Sequence, residues 1–278
     1  MAGRLAGKVA YITGAARGQG RSHAVALAAE GAHIIAVDAC TDIPGIPYPL
    51  ASAAELEQTA AAVAAVGGQI SCHVADVRDL AALEKAALAG VERFGRLDIV
   101  IANAGVNSPV MHGDHLGEEQ WRLVIDINLN GVWRTVRATV EHIIAGGEGG
   151  SVVITSSAAG LKGYPNIAHY SGAKHAVNGL MKSMANELAA HRIRVNSLNP
   201  TQVDTPMIMN DPMYRLFCPD LPSPGPVEFA PVSQAMNALP VPWVQPIDVS
   251  NAVLFLVCDE GRFITGVALP VDAGTLVK

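Results

Sequence analysis

Tyr170 and Lys174 stand four residues apart in Tyr170-Ser171-Gly172-Ala173-Lys174, so on a helix they share one face with a rise of roughly 6 Å between them. A phenol titrates at about 10, too high for efficient acid–base work at neutral pH, and a neighbouring ammonium favours its ionised form. Such a pair can exchange a proton with an alcohol or carbonyl oxygen. The spacing alone is weak, because a tyrosine and a lysine one turn apart also make an ordinary surface pair. Two further features share the chain with it. Thr155-Ser156-Ser157-Ala158-Ala159-Gly160 lies shortly upstream, and Asn128, within Asp126-Ile127-Asn128-Leu129-Asn130-Gly131, is a polar residue on an otherwise apolar helix pattern.

A second constellation sits near the start. Thr13-Gly14-Ala15-Ala16-Arg17-Gly18-Gln19-Gly20 follows an apolar strand pattern and precedes a helix pattern. Gly14, Gly18 and Gly20 let the backbone turn tightly and approach a pyrophosphate, toward which the next helix points its N-terminal N–H groups. Asp38 closes the second strand 18 residues after Gly20. A carboxylate there accepts hydrogen bonds from both adenosine ribose hydroxyls and repels a 2′-phosphate, so the reading is NAD over NADP. Arg17 is the competing signal, as a phosphate contact or a solvated loop charge. Asp76-Val77 and Asn103-Ala104-Gly105 follow the third and fourth strands, where ligands bind in open α/β sheets. Asp76 reads as an adenine contact or a helix N-cap. Asn103 reads equally as a ligand contact or as a tie between strands.

These residues need a scaffold, and the apolar pattern supplies one. Short β-rich runs at Lys8–Thr13, His33–Val37, Ile70–Ala75, Leu97–Ala102, Ser151–Thr155, Ile193–Leu198 and Val267–Val271 alternate with helical stretches. The helical stretches are Ser22–Glu30, Ala53–Val66, Leu80–Phe94, Glu118–Ile144, Ser171–Ala190 and Ile247–Cys258. Continuous apolar strands separated by helices indicate a seven-stranded parallel sheet covered on both faces, a single doubly wound α/β Rossmann domain spanning residues 1–278. Two segments break the rhythm. Ala39–Ser52 inserts three prolines after the second strand, and Val203–Pro246 carries ten prolines with apolar residues that suit a lid over a hydrophobic substrate.

Composition narrows the classes. Half of the 278 residues are apolar and 16% are charged, too hydrophobic and too weakly charged for disorder. A net charge of −6 argues against nucleic acid as a partner. No apolar run approaches the roughly 18 residues that span a membrane, and the start lacks a secretory apolar region, so a cytoplasmic protein is expected. Cys40, Cys72, Cys218 and Cys258 lie far apart, and His112 with His115 lack a third ligand, so no metal is expected.

Taken together, the glycine motif, Asn103-Ala104-Gly105, Asn128, Ser157, Tyr170 and Lys174 resemble the short-chain dehydrogenase/reductase family, in its order and spacing, over essentially the full chain. The resemblance implies an NAD-dependent alcohol dehydrogenase, EC 1.1.1.-. Tyr170 would be the general acid/base, and Ser157, thirteen residues before it, would hold the substrate oxygen. Lys174 would bind the nicotinamide ribose and lower the Tyr170 pKa, while Asn128 would hold a water on a proton path. In Asn199-Pro200-Thr201-Gln202-Val203-Asp204-Thr205, Pro200, the Val203 backbone and Thr205 match cofactor contacts. Departures are Thr201 for a usual glycine, Gln19 for a frequent isoleucine and Ala102 for a frequent asparagine. The C-terminal strand and tail imply a homotetramer.

The insertion, with Pro47-Tyr48-Pro49-Leu50, is similar to that of the mycofactocin-associated, carveol-dehydrogenase-like subgroup. That likeness implies a terpenoid-like secondary alcohol interconverted with its ketone, NAD tightly bound without exchange, and an external redox carrier. Two other readings compete: a carbonyl reductase with freely exchanging NAD(P)H, and a non-catalytic nucleotide-binding sensor.

Overall fold

The computed structural model describes residues 3–108 and 110–278. Seven parallel strands, β1 (Val9–Thr13), β2 (His33–Asp38), β3 (Ile70–Val74), β4 (Ile99–Ala102), β5 (Gly150–Thr155), β6 (Ile193–Pro200) and β7 (Ala268–Val271), form one sheet in the order β3-β2-β1-β4-β5-β6-β7. The helices are α1 (Gly18–Ala29), α2 (Ala53–Ala65), α3 (Leu80–Phe94), α4 (Glu118–Ile125), α5 (Gly131–Gly146), α6 (Ala168–Leu188), α7 (Asp211–Phe217), α8 (Pro226–Gln234) and α9 (Pro246–Val257). The doubly wound sheet expected from the apolar pattern is the one found.

Period-two alternation divides the strands between two cores. Val9, Tyr11, Ile35 and Val37 face α3, α5 and α6, whereas Ala10, Ile12, Ile34 and Ala36 face α1, α2 and α9. Both faces being covered explains why strand side chains read as nearly continuous apolar runs. The order reverses direction between β1 and β4, which opens a crevice beyond their C-terminal ends. Everything chemically distinctive in the sequence gathers there.

The expected single helix Glu118–Ile144 is instead α4 and α5 joined by a π-helical turn, Asp126–Asn130. The apolar period carries across that extra residue, so sequence spacing did not reveal it. Val203–Pro246 holds the two short helices α7 and α8. Its ends are pinned by a parallel bridge between Val203 and Val244, and Phe229, fully buried, anchors it against Tyr214, Phe217 and Trp243.

Candidate active site

The glycine turn leads from β1 into α1, whose N-cap position is Arg17 with no side-chain cap. By contrast α2 is closed by a Ser52–Glu55 capping box and α3 by the Asp79 side chain. The first N–H groups of α1 therefore remain aimed at the crevice, where an anion suits them. Gly20 is required by close packing, because a Cβ there would lie 2.0 Å from the Gly14 carbonyl oxygen. Asp38 ends β2 beside this turn. One of its oxygens accepts from the Ala16 N–H at 3.0 Å and the other from the Cys40 N–H at 3.2 Å, which fixes the carboxylate at the crevice and leaves each oxygen a further lone pair.

Arg17 lines the crevice and is held there by the protein itself. Its guanidinium donates to the Pro49 carbonyl at 2.5 Å and lies 3.9 Å from Glu55, so it ties the glycine turn to the insertion. The insertion is packed rather than loose: Ile43, Tyr48 and Ala51 are buried, and the Leu50 N–H donates to Asp42 at 2.7 Å. Asp76 lines the crevice but spends both carboxylate oxygens on Arg78, and the N-cap of α3 is Asp79, not Asp76. Val77 is buried beside it.

Asn103 resolves as a tie between strands. Its amide donates to the carbonyls of Thr13 and Gly14, its oxygen accepts from the Thr155 hydroxyl, and the N–H groups of Asn103 and Ala104 both donate to the Thr13 hydroxyl. Asn128 is fully buried and is paired with the Val106 backbone through both amide atoms at 2.8 Å.

Tyr170 and Lys174 share one face of α6 as expected, with the ammonium 5.5 Å from the phenol ring centre. Lys174 is only 3% exposed and donates to the Thr155 carbonyl at 2.8 Å; burial lowers its pKa to about 8. Burial pushes the Tyr170 phenol above its ordinary value, and the Ser157 hydroxyl beside it pulls partly back. In the folded chain that downward pull comes from the Ser157 hydroxyl rather than from the Lys174 ammonium, and burial leaves the phenol above its ordinary value. Of the adjacent serines, Ser156 is locked by donating to the Lys174 carbonyl at 2.9 Å, while Ser157 accepts from the Ala159 N–H and has its own hydrogen available beside the Tyr170 hydroxyl.

Above these groups lies a largely apolar cavity of about 390 Å³, lined by Pro200, Val203, Thr205, Met207, Ile208, Met213, Leu216 and Phe217 among others. Met209, on the same segment, packs against the buried Phe229 cluster. Gln19, Asn103, Gly105, Thr205 and Met207 line both this cavity and the crevice that runs past Asp38, so the two are continuous. The fit to a dinucleotide is supported at the junction. A Cβ on Gly105 would come within 3.5 Å of the Lys174 ammonium, so the bare backbone keeps that space open, and the Gln19 side-chain oxygen is buried without a protein partner among the described residues. Tyr48 and Asn107 are the lining residues that sequence reasoning missed; an aromatic flanked by prolines was the only signal for the first. His112 pairs with Asp114, and among the described residues no third ligating side chain joins it and His115.

A dinucleotide crevice at the switch point, opening onto an apolar cavity with a tyrosine, a serine and a lysine at its floor, is the plan of an oxidoreductase. The chain belongs to the short-chain dehydrogenase family, whose model matches residues 8–213. It is 57% identical to a (−)-trans-carveol dehydrogenase of Rhodococcus erythropolis over 99% of both chains. It is 32% identical to a cyclohexanol dehydrogenase of an Acinetobacter strain, covering 100% of this chain and 98% of that one. The crystal structure of a carveol dehydrogenase from Mycobacterium avium in complex with NAD superposes with a TM-score of 0.98 at 56% identity, covering 99% of this chain and 100% of that one.

Proposed function

We propose that the protein is an NAD-dependent oxidoreductase that interconverts a hydrophobic, terpenoid-like secondary alcohol such as carveol with its ketone. The observation that carries this reading is the placement of Tyr170, Ser157 and Lys174 on the floor of an apolar cavity continuous with the Asp38 crevice. The whole chain works as one NAD-binding unit, with 203–246 as its lid. Asp38 faces the adenosine ribose; the N-terminus of α1 (Gly18, Gln19, Gly20), together with Gly14 and Ala16, holds the pyrophosphate. Asp76, Val77, Asn103, Ala104 and Gly105 shape the base and ribose positions, and Pro200, Val203 and Thr205 the nicotinamide end. When bound, NAD supplies the hydride acceptor.

Ser157 donates its free hydrogen to the substrate oxygen and holds it against the Tyr170 hydroxyl. A phenol kept protonated by burial is suited to giving its proton to a carbonyl oxygen as that oxygen gains charge. In the oxidative direction Tyr170 must first lose its proton and then accept the alcohol proton as phenolate, and the Lys174 ammonium, 5.5 Å from the ring, is the cation that favours that phenolate. With a pKa of about 8, Lys174 itself takes up and releases protons close to neutral pH. Asn128 holds the Gly105–Val106 backbone beside that lysine.

The insertion, stapled to the glycine turn through Arg17, slows exchange of NAD, so an external redox carrier regenerates it. The exposed Trp121 and Trp133 on α4 and α5, with Phe263 and Val277, give a cytoplasmic homotetramer its contact surfaces. No helix among the described residues is long and apolar enough to cross a membrane. Carveol oxidation followed by carvone formation tests the activity, with Tyr170→Phe expected to lose on the order of 10²–10⁴-fold in rate while still binding NAD. A variant as active as wild type removes Tyr170 from its role. Nucleotide retained after exhaustive dialysis supports slow exchange, and complete loss argues for the freely exchanging reductase.

A further inference from the structure

Between the insertion and α7 lies a second chamber, about 300 Å³ in volume. It shares Asn107, Val110, Met207, Met213 and Leu216 with the substrate cavity, so the two adjoin. Ser108 and Asn210 on its wall are engaged within the protein and Arg215 adds a cation, while Tyr48 and Asn107 bring two polar groups that the protein leaves half used. The Asn107 backbone N–H donates to the Tyr48 phenol oxygen at 3.0 Å. That bond uses the phenol as acceptor, and no acceptor takes the Tyr48 hydrogen among the described residues. The Asn107 side-chain oxygen is buried and has no hydrogen-bond partner there. Tyr48 is 7% exposed, and burial raises its pKa to about 12, so it remains a neutral donor across the physiological range.

We infer that Asn107 and Tyr48 form a second polar subsite that receives a hydroxyl carried by the substrate away from its reacting carbon. A buried acceptor without a donor forfeits hydrogen-bond free energy, which a matching ligand group restores. The pair offers one acceptor and one donor. A hydroxyl satisfies both, donating to the Asn107 oxygen and accepting from Tyr48. A carboxylate has no hydrogen for the amide oxygen, and an ammonium has no lone pair for the phenol. The substrate class thereby narrows to hydroxylated alicyclic alcohols, diols and hydroxyketones whose first oxygen meets Tyr170. This rests on the alcohol–ketone reading of the main site. The insertion then has a part in substrate choice, because Tyr48 belongs to it.

The test compares kcat/KM of the NAD-loaded protein for matched alcohols with and without a remote hydroxyl: carveol against its hydrate sobrerol, and cyclohexanol against the isomeric cyclohexanediols. Wild type should favour at least one hydroxylated member by about tenfold, the selectivity scale of one buried hydrogen bond to a neutral group. Asn107→Leu should bring that ratio to about one, and Tyr48→Phe should reduce it, whatever either does to absolute rates. A wild-type ratio near one for every pair, or a preference untouched by both substitutions, overturns the subsite and leaves a bound water as its occupant, with the alcohol–ketone reading intact. Turnover of none of these alcohols overturns that reading, and the subsite with it.

Discussion

Replacing Lys174 with methionine tests whether the buried ammonium is destabilising in the folded protein. The difference between its ordinary value of 10.5 and the buried value of about 8 corresponds to roughly 3 kcal/mol. Below the buried value the lysine is protonated in both the folded and unfolded states, and the full penalty applies. Between the two values the unfolded chain holds a proton that the folded chain has released, so stability rises with pH. Above 10.5 both states are neutral and the effect ends. Wild type should therefore gain about 2 kcal/mol relative to Lys174→Met between about pH 7 and about pH 9.5, a span that covers most of the window. Urea unfolding of both proteins, freed of nucleotide, at each pH measures this. The comparison cancels titrating groups remote from Lys174, such as Tyr11, and a constant offset from the lost bond to the Thr155 carbonyl leaves the slope untouched. Parallel stability curves would refute the reasoning, because they would mean that the protein already compensates the charge.

Three further outcomes follow from the same coordinates. Asp38→Asn keeps the shape at the end of β2 but removes the charge, so NADP affinity should rise about tenfold relative to NAD, measured by fluorescence titration; an unchanged ratio places the discriminating charge elsewhere. Phe229→Ala empties the centre of the Tyr214–Phe217–Trp243 cluster, a loss of about 3–5 kcal/mol. Hydrogen exchange should then quicken in α7 and α8 while β1, β4 and β5 stay protected, and uniform quickening would show that the lid is not a separate cooperative unit. His23 is fully buried with its pKa lowered to about 3, so folding excludes its proton and stability falls as pH drops below the ordinary 6.5. His23→Leu should flatten the acid limb by about 2.5 kcal/mol between about pH 7 and about pH 4.5 in urea unfolding, and an unchanged limb would assign the acid loss to carboxylates.

The scaffold was readable because it is written in periodicity. Parallel strands covered on both faces must be apolar throughout, and helices between them must carry a stripe, so all seven strands fall within two residues of their expected starts and ends. The floor of the site was readable for a similar reason: Tyr170 and Lys174 need only one helical turn to meet. What escaped was pairing between segments distant in sequence. Whether Asn103 meets a ligand or ties strands depends on Thr13 and Thr155 arriving beside it, and the hold on Arg17 depends on Pro49 doing the same. The π-turn at Asp126–Asn130 left no mark in the apolar period, although it is the segment that delivers Asn128 to the Val106 backbone. The Tyr170 pKa escaped for an energetic reason. The sequence displays the neighbouring lysine but not the depth of the cavity, and burial raises the phenol pKa in the folded chain. A protonated phenol leaves the protein alone poised for proton donation, and oxidation depends on what the bound substrate and cofactor add. Motifs therefore disclosed which groups take part, while burial decided which protonation state each one starts from.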